Sequence, residues 1–153
     1  MAFMELVQDH SGWGTDLYDD GVITWNGPRK GMFADAFRRI DRELDIDTRY
    51  VGNPEKADVV CDFVGSRING RHTGMNYYRS SDDGTKWNSI VVSTNGRGDA
   101  AINSTVVHEI GHALGLGHPD DHSRKDTIMS YGAPDNMPWF TKVDQAAIAH
   151  LYG

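Results

Sequence analysis

His108-Glu109-Ile110-Gly111-His112-Ala113-Leu114-Gly115-Leu116-Gly117-His118 is the stretch on which the reading of this chain turns. On a helix, His108 and His112 lie one turn apart on a common face, so both imidazoles can aim at one point. Two nitrogens about 2.0–2.1 Å from a shared ion is a geometry that zinc accepts. Gly115 predicts the end of that helix, because glycine tolerates the left-handed backbone of a cap. The turn it opens can bring His118 back as a third nitrogen. Three neutral imidazoles leave one tetrahedral position for water, the pattern of a catalytic zinc site. Glu109 is rotated by about 100° from the ligand face. It need not bind the ion, yet it can reach that water and take its proton once the metal has lowered the water's pKa. Singly these residues are ordinary: a lone histidine on a buried helix is usually hydrogen-bonded core, and a lone glutamate is usually solvated. Their combination at fixed spacing is what points to zinc.

Around this stretch, Val106, Val107, Ile110, Ala113 and Leu114 recur at three- and four-residue spacing, which predicts a buried helix starting near Asn103 or Ser104, either of which can cap it. Upstream, residues 22–25 read as a strand ended by Asn26-Gly27-Pro28. Residues 28–44 read as a helix with Phe33, Ala36, Phe37, Ile40 and Leu44 on one face. Residues 48–51 and 57–64 are further strands. The second is apolar on both faces, which predicts cover on each side. Residues 75–79 form a candidate edge strand, Asp82-Asp83-Gly84 a turn and residues 89–93 another strand. Downstream, residues 120–130 read as loop and residues 142–151 as a last helix, while residues 1–20 read as an irregular leader. The order predicts a layered α+β domain, an α/β-type sandwich, occupying residues 1–153 as one unit.

Composition narrows the function. The chain has 153 residues, with 15 Lys plus Arg against 22 Asp plus Glu, a net charge of −7. That sign argues against a nucleic-acid or anionic-membrane binder. No run of 18 apolar residues predicts a membrane span, and the first residues do not resemble a signal peptide. Cys61 is the single cysteine, so no intrachain disulfide forms; alternating with Val59 and Phe63, it reads as core. The compartment is left open by these features.

The pattern His-Glu-x-x-His-x-x-Gly-x-x-His resembles the zinc motif of the metzincin metallopeptidases, and Thr127-Ile128-Met129-Ser130-Tyr131 resembles their methionine turn. Pro119 after the third histidine, and Tyr131 two places after Met129, resemble the serralysin branch. The tail from Asp144 to Gly153 resembles the last catalytic helix of serralysins and bacterial matrixins. The resemblance is specific over about residues 102–153. It implies a zincin-like fold: a twisted, mostly parallel sheet with an antiparallel edge strand, a central active-site helix and a C-terminal helix. It implies one catalytic Zn2+ on His108, His112 and His118, with Glu109 as general base and Tyr131 as a switchable ligand that stabilises the tetrahedral intermediate. Gly115 and Met129 would then be structural. A peptide would lie along the edge strand near Gly74 and Tyr78, with the segment from Gly132 to Phe140 walling the pocket after the cleaved bond and Trp139 and Phe140 lining it.

Where the chain departs from the family, the expectations change. Calcium-binding repeats are absent, and His72 is followed by Thr73 and Gly74 rather than by a His-x-Asp zinc pair, so one zinc is expected. Asp82-Asp83 and Asp120-Asp121 could bind Ca2+, although solvated turn carboxylates are commoner. In the leader, Asp9, Asp16, Asp19 or Asp20 could cover the metal. The family favours an extracellular location, and a monomer acting on protein or peptide is expected. The leading function is therefore a zinc endopeptidase. A zinc-stabilised, non-proteolytic binding domain is the alternative, which Glu109 and Tyr131 argue against; a zinc hydrolase of another amide or ester is a third reading. Arg97-Gly98-Asp99 matches a cell-adhesion tripeptide that recurs by chance and carries no weight.

Overall fold

Alternation along the strands sets the architecture. In the computed structural model, which describes residues 4–8 and 21–152, β1 (Val22–Asn26) buries Ile23 and Trp25 and leaves its other residues half-buried. The remaining strands are β2 (Asp47–Tyr50), β3 (Val59–Val64), β4 (Gly74–Ser80) and β5 (Lys86–Ser93). They form one sheet in the order β2-β1-β3-β5-β4. The pairs β1–β2, β1–β3 and β3–β5 are parallel, and β4 runs antiparallel to β5 at the edge. This is the mostly parallel sheet with an antiparallel edge strand that the resemblance implied.

The helices are α1 (Met4–Gln8), α2 (Met32–Glu43), α3 (Asp99–Ala113) and α4 (Lys142–Tyr152). Val59, Cys61, Ile90 and Val92 join Ile23 and Trp25 in one core with Phe33, Phe37 and Ile40 of α2 and Val106 and Ile110 of α3. Trp25 stacks on Phe37 with ring centroids 4.8 Å apart. The opposite face of β3 carries half-buried Val60 and Val64 and exposed Asp62. The expectation of cover on both faces therefore fails for β3, whose outward valines are only half covered. Cys61 is core, as expected, and burial pushes its thiol pKa up, which leaves an unreactive thiol.

Strand ends shift by up to three residues from the sequence reading, and three helices differ in ways that have a physical reason. Helix α2 begins at Met32 rather than at residue 28, because Arg29, Lys30 and Gly31 are exposed and bury no face. Helix α3 begins at Asp99, capped by Gly98, and Asn103 and Ser104 lie inside it. Buried Ile102 extends the packed face upward, and Asp99 complements the positive end of the helix. Met4–Gln8 is helical where an irregular leader was expected, because Leu6 and Val7 are buried and α1 packs on α4. The aspartates at 9, 16, 19 and 20, and Gly153, lie outside the described residues.

Candidate metal centre

Helix α3 crosses the core beside β4 and β5, and most of its circumference is buried. His108 and His112 project from one side of it. Their rings lie 4.8 Å apart at 89°, and His112 and His118 lie 4.5 Å apart at 84°. One ligand nitrogen from each of the three falls within 4.8 Å of the others. His112 Nε2 and His118 Nε2 stand 3.1 Å apart. Two ligands on one tetrahedral ion at zinc distances are separated by roughly 3.3 Å, so the histidines fit zinc. Among the described residues this is the one cluster of metal-ligating groups.

The chain fixes the rings through their other nitrogens. His108 Nδ1 lies 2.7 Å from the Ile128 carbonyl, and His112 Nδ1 lies 2.7 Å from the Leu116 carbonyl. A carbonyl only accepts, so each Nδ1 carries the proton and each Nε2 presents a lone pair inward. Burial lowers the pKa of His108. Burial, followed by repulsion from His108 and His118, holds that of His112 well below the ordinary value. Both effects favour the neutral, ligating form.

The turn between the second and third histidines is built by backbone. Leu116 N–H donates to the Gly111 carbonyl and Gly115 N–H to the His112 carbonyl, each at 2.9 Å, the paired bonds of a Schellman cap. Gly115 has φ 109°, a value that side-chain-bearing residues rarely adopt. Distant elements then clamp the turn. Gly117 N–H donates to the Leu6 carbonyl of α1 at 2.8 Å, and the Tyr152 hydroxyl of α4 donates to the Leu114 carbonyl at 2.7 Å.

Beneath the histidines, the segment around Met129 hangs from one carboxylate. Asp144 is fully buried and accepts from Ile128 N–H at 3.0 Å, Thr141 N–H and Oγ1 at 2.9 Å each, and the Thr127 hydroxyl. Asp144 thus anchors the backbone of Ile128 through its N–H, and the carbonyl of the same residue holds His108. Met129 is fully buried under Gly111, where an added Cβ would stand 2.6 Å from its sulfur. Asp144 is a supporting residue that sequence reasoning missed. An aspartate in the first turn of a helix normally reads as a dipole complement, and nothing local reveals that residues 127 and 128 fold back onto it.

A cleft of about 460 Å³ opens beside the histidines, and Gly74, Ser104, Glu109, Tyr131 and Pro134 line it. The Glu109 side chain is 5% exposed, and burial raises its pKa to about 8. A cation held by the histidines would pull that value back down. Gly74 lets β4 approach: a Cβ there would stand 2.5 Å from Thr105 Cγ2 and 2.9 Å from Glu109 Oε2. Tyr131 is 68% exposed, with its ring 4.4 Å from that of His118.

The structure therefore brings together His108, His112, His118, Glu109, Gly74 and Tyr131. Tyr78 is half-buried further along β4 and does not line the cleft. Trp139 and Phe140 do not line it either. Both are buried, with their rings 4.9 Å apart, and the Arg39 guanidinium of α2 covers Trp139 at 4.4 Å. These rings are taken up by the core under α3, whereas residues 133–135 of the same expected segment do line the cleft. His72 and Arg97 also line the cleft, although neither belongs to a recognisable motif. Asp83 and Asp121, the carboxylates considered for calcium, accept bonds within their own turns, from Ser81 and Thr85 and from Ser123.

The matrixin family model matches residues 26–153. Among solved structures, an archaemetzincin from Methanopyrus kandleri is similar, with a TM-score of 0.48 and 13% identity, covering 85% of this chain and 94% of that one. No curated protein matches the sequence.

Proposed function

The chain belongs to the matrixin family of zinc metallopeptidases, and from that premise we propose that it is an endopeptidase that cuts extended peptides with Glu109 as general base. One observation carries the reading: three inward-facing histidine nitrogens and a buried carboxylate share one cleft. His108, His112 and His118 would hold zinc, which when bound polarises a carbonyl and makes water nucleophilic near neutral pH.

The remaining steps belong to the chain's own residues. Among the described residues β4 is an edge of the sheet, where its backbone groups could pair with a peptide running alongside it. Gly74 keeps that strand close to Glu109. Glu109 takes a proton from the attacking water and delivers it to the departing amine, a transfer worth about 10²–10⁴ in rate. The Tyr131 hydroxyl donates to the oxygen on which negative charge develops. Met129, buried beneath Gly111, acts as the methionine turn that supports the histidines. The pairing of Tyr131 with Met129 favours a serralysin-like arrangement of this donor.

The test is peptide hydrolysis by the zinc-loaded protein beside Glu109→Ala. The expected result is stoichiometric zinc in both and cleavage products from the parent alone. Equal hydrolysis by both proteins removes Glu109 from the reaction. Bound zinc with no cleavage of any peptide by the parent overturns the endopeptidase reading in favour of a binding domain or a hydrolase of another amide or ester.

A further inference from the structure

Arg97 precedes α3 and reaches into the same cleft. Its Nη2 donates to the Ala101 carbonyl at 2.9 Å, which anchors the guanidinium against the helix. Its Nη1 is buried and has no hydrogen-bond partner among the described residues. Leaving a buried cationic donor unpaired is costly. Asp135 lines the same cleft and attracts the guanidinium, yet leaves Nη1 unbonded, while Arg67 stands near enough to repel it. An arginine fork with one arm fixed and the other vacant suits a carboxylate from outside the protein.

We propose that the cleft selects peptides carrying a carboxylate close to the cut bond, and that Arg97 is the specificity residue that holds it. The inference rests on the peptidase reading and names its substrate class. Ala101 and His108 are seven residues apart on α3, roughly 10 Å along the axis. An extended peptide advances about 3.3–3.6 Å per residue, which puts the carboxylate within about three residues of the scissile bond. It can come from an Asp or Glu side chain or from the peptide's own C-terminus. Either source meets the same guanidinium, and neither needs a change in the protein's overall negative charge.

The experiment uses the zinc-loaded full chain and matched peptide pairs, with Glu against Gln at each position around the cut and free acid against amide at the C-terminus. The expected kcat/KM favours the carboxylate member of one pair by about tenfold. The pair that responds identifies the source. Arg97→Gln should bring that ratio close to one, Arg97→Lys should leave it intermediate, and Asp135→Asn, which removes the competing anion, should raise it. In parallel, fluorescence anisotropy measures binding of the same pairs to Glu109→Ala and to Glu109→Ala/Arg97→Gln. Cleavage without carboxylate preference, or a preference that survives Arg97→Gln, overturns the proposal and leaves the peptidase reading standing. Carboxylate-dependent binding that is lost with Arg97, without cleavage by the parent, supports the proposal and overturns the peptidase reading. If Arg97→Gln melts early, the Asp135→Asn ratio decides: a rise supports the proposal, and an unchanged or lower ratio overturns it.

Discussion

The histidine cradle and the far wall of the cleft are built on different principles. Every ring in the cradle comes from eleven consecutive residues, and two of the three are locked by 2.7 Å bonds to backbone carbonyls. A second layer, Asp144, Leu6 and Tyr152, holds those carbonyls and the turn in place. The wall consists of Tyr131, residues 133–135 and Arg97, outside any helix or strand, with a tyrosine that is 68% exposed and a guanidinium whose Nη1 has no hydrogen-bond partner among the described residues. Backbone bonds fix the rings where an ion would be gripped, while the far wall is more exposed. Metal affinity should therefore respond to the cradle and substrate handling to the wall.

Tyr131→Phe is the sharpest test of that division. Turnover should fall roughly 10²–10³-fold, with zinc content by atomic absorption unchanged; a parallel loss of zinc would place Tyr131 in the cradle. Asp144→Asn attacks the cradle from behind, because the amide removes the charge that holds the Ile128 and Thr141 N–H groups and leaves an NH2 either there or against the Thr127 hydroxyl, which donates to the carboxylate. Zinc affinity, measured by competition with a chelator, should weaken roughly 10–100-fold. Unaltered affinity would show that His108 does not depend on the Ile128 peptide. Gly74→Ala lies at the seam. Its new methyl meets Thr105 and Glu109, so stability should drop by about 1–3 kcal/mol and kcat should fall while zinc stays bound. Tyr152→Phe should be mildest: losing the bond to Leu114 costs about 1 kcal/mol, a few degrees of Tm, with full zinc occupancy. A melt identical to the parent would mean that α4 does not brace the turn.

The two regions also differ in how far they could be read from sequence. The ligands, Glu109 and the capping Gly115 were legible because helical periodicity and glycine's backbone freedom are local properties. The element order and the burial of Cys61 were legible from alternation and turn residues, whereas the antiparallel direction of the edge strand was only implied by the family resemblance. The start of α3 was misplaced because good capping residues at 103 and 104 were outweighed by burial of Ile102 and by the cap at Gly98. Trp139 was expected in the cleft only because the family resemblance implied it. In the fold it fills the core under Arg39, since burial of that area is worth as much to packing as to a ligand.

By itself the sequence determined which donors could meet, because helical spacing puts His108 and His112 on one face and Gly115 lets the chain turn back toward them with His118. Only the tertiary structure decided what braces the site and what the cleft can read. Asp144 reaches Ile128 and Thr127, α1 and α4 clamp the turn, and Arg97 joins Asp135 in one lining. These partners are mostly far apart along the chain, and a contact between such residues is set by how the layers pack, a quantity no local pattern carries.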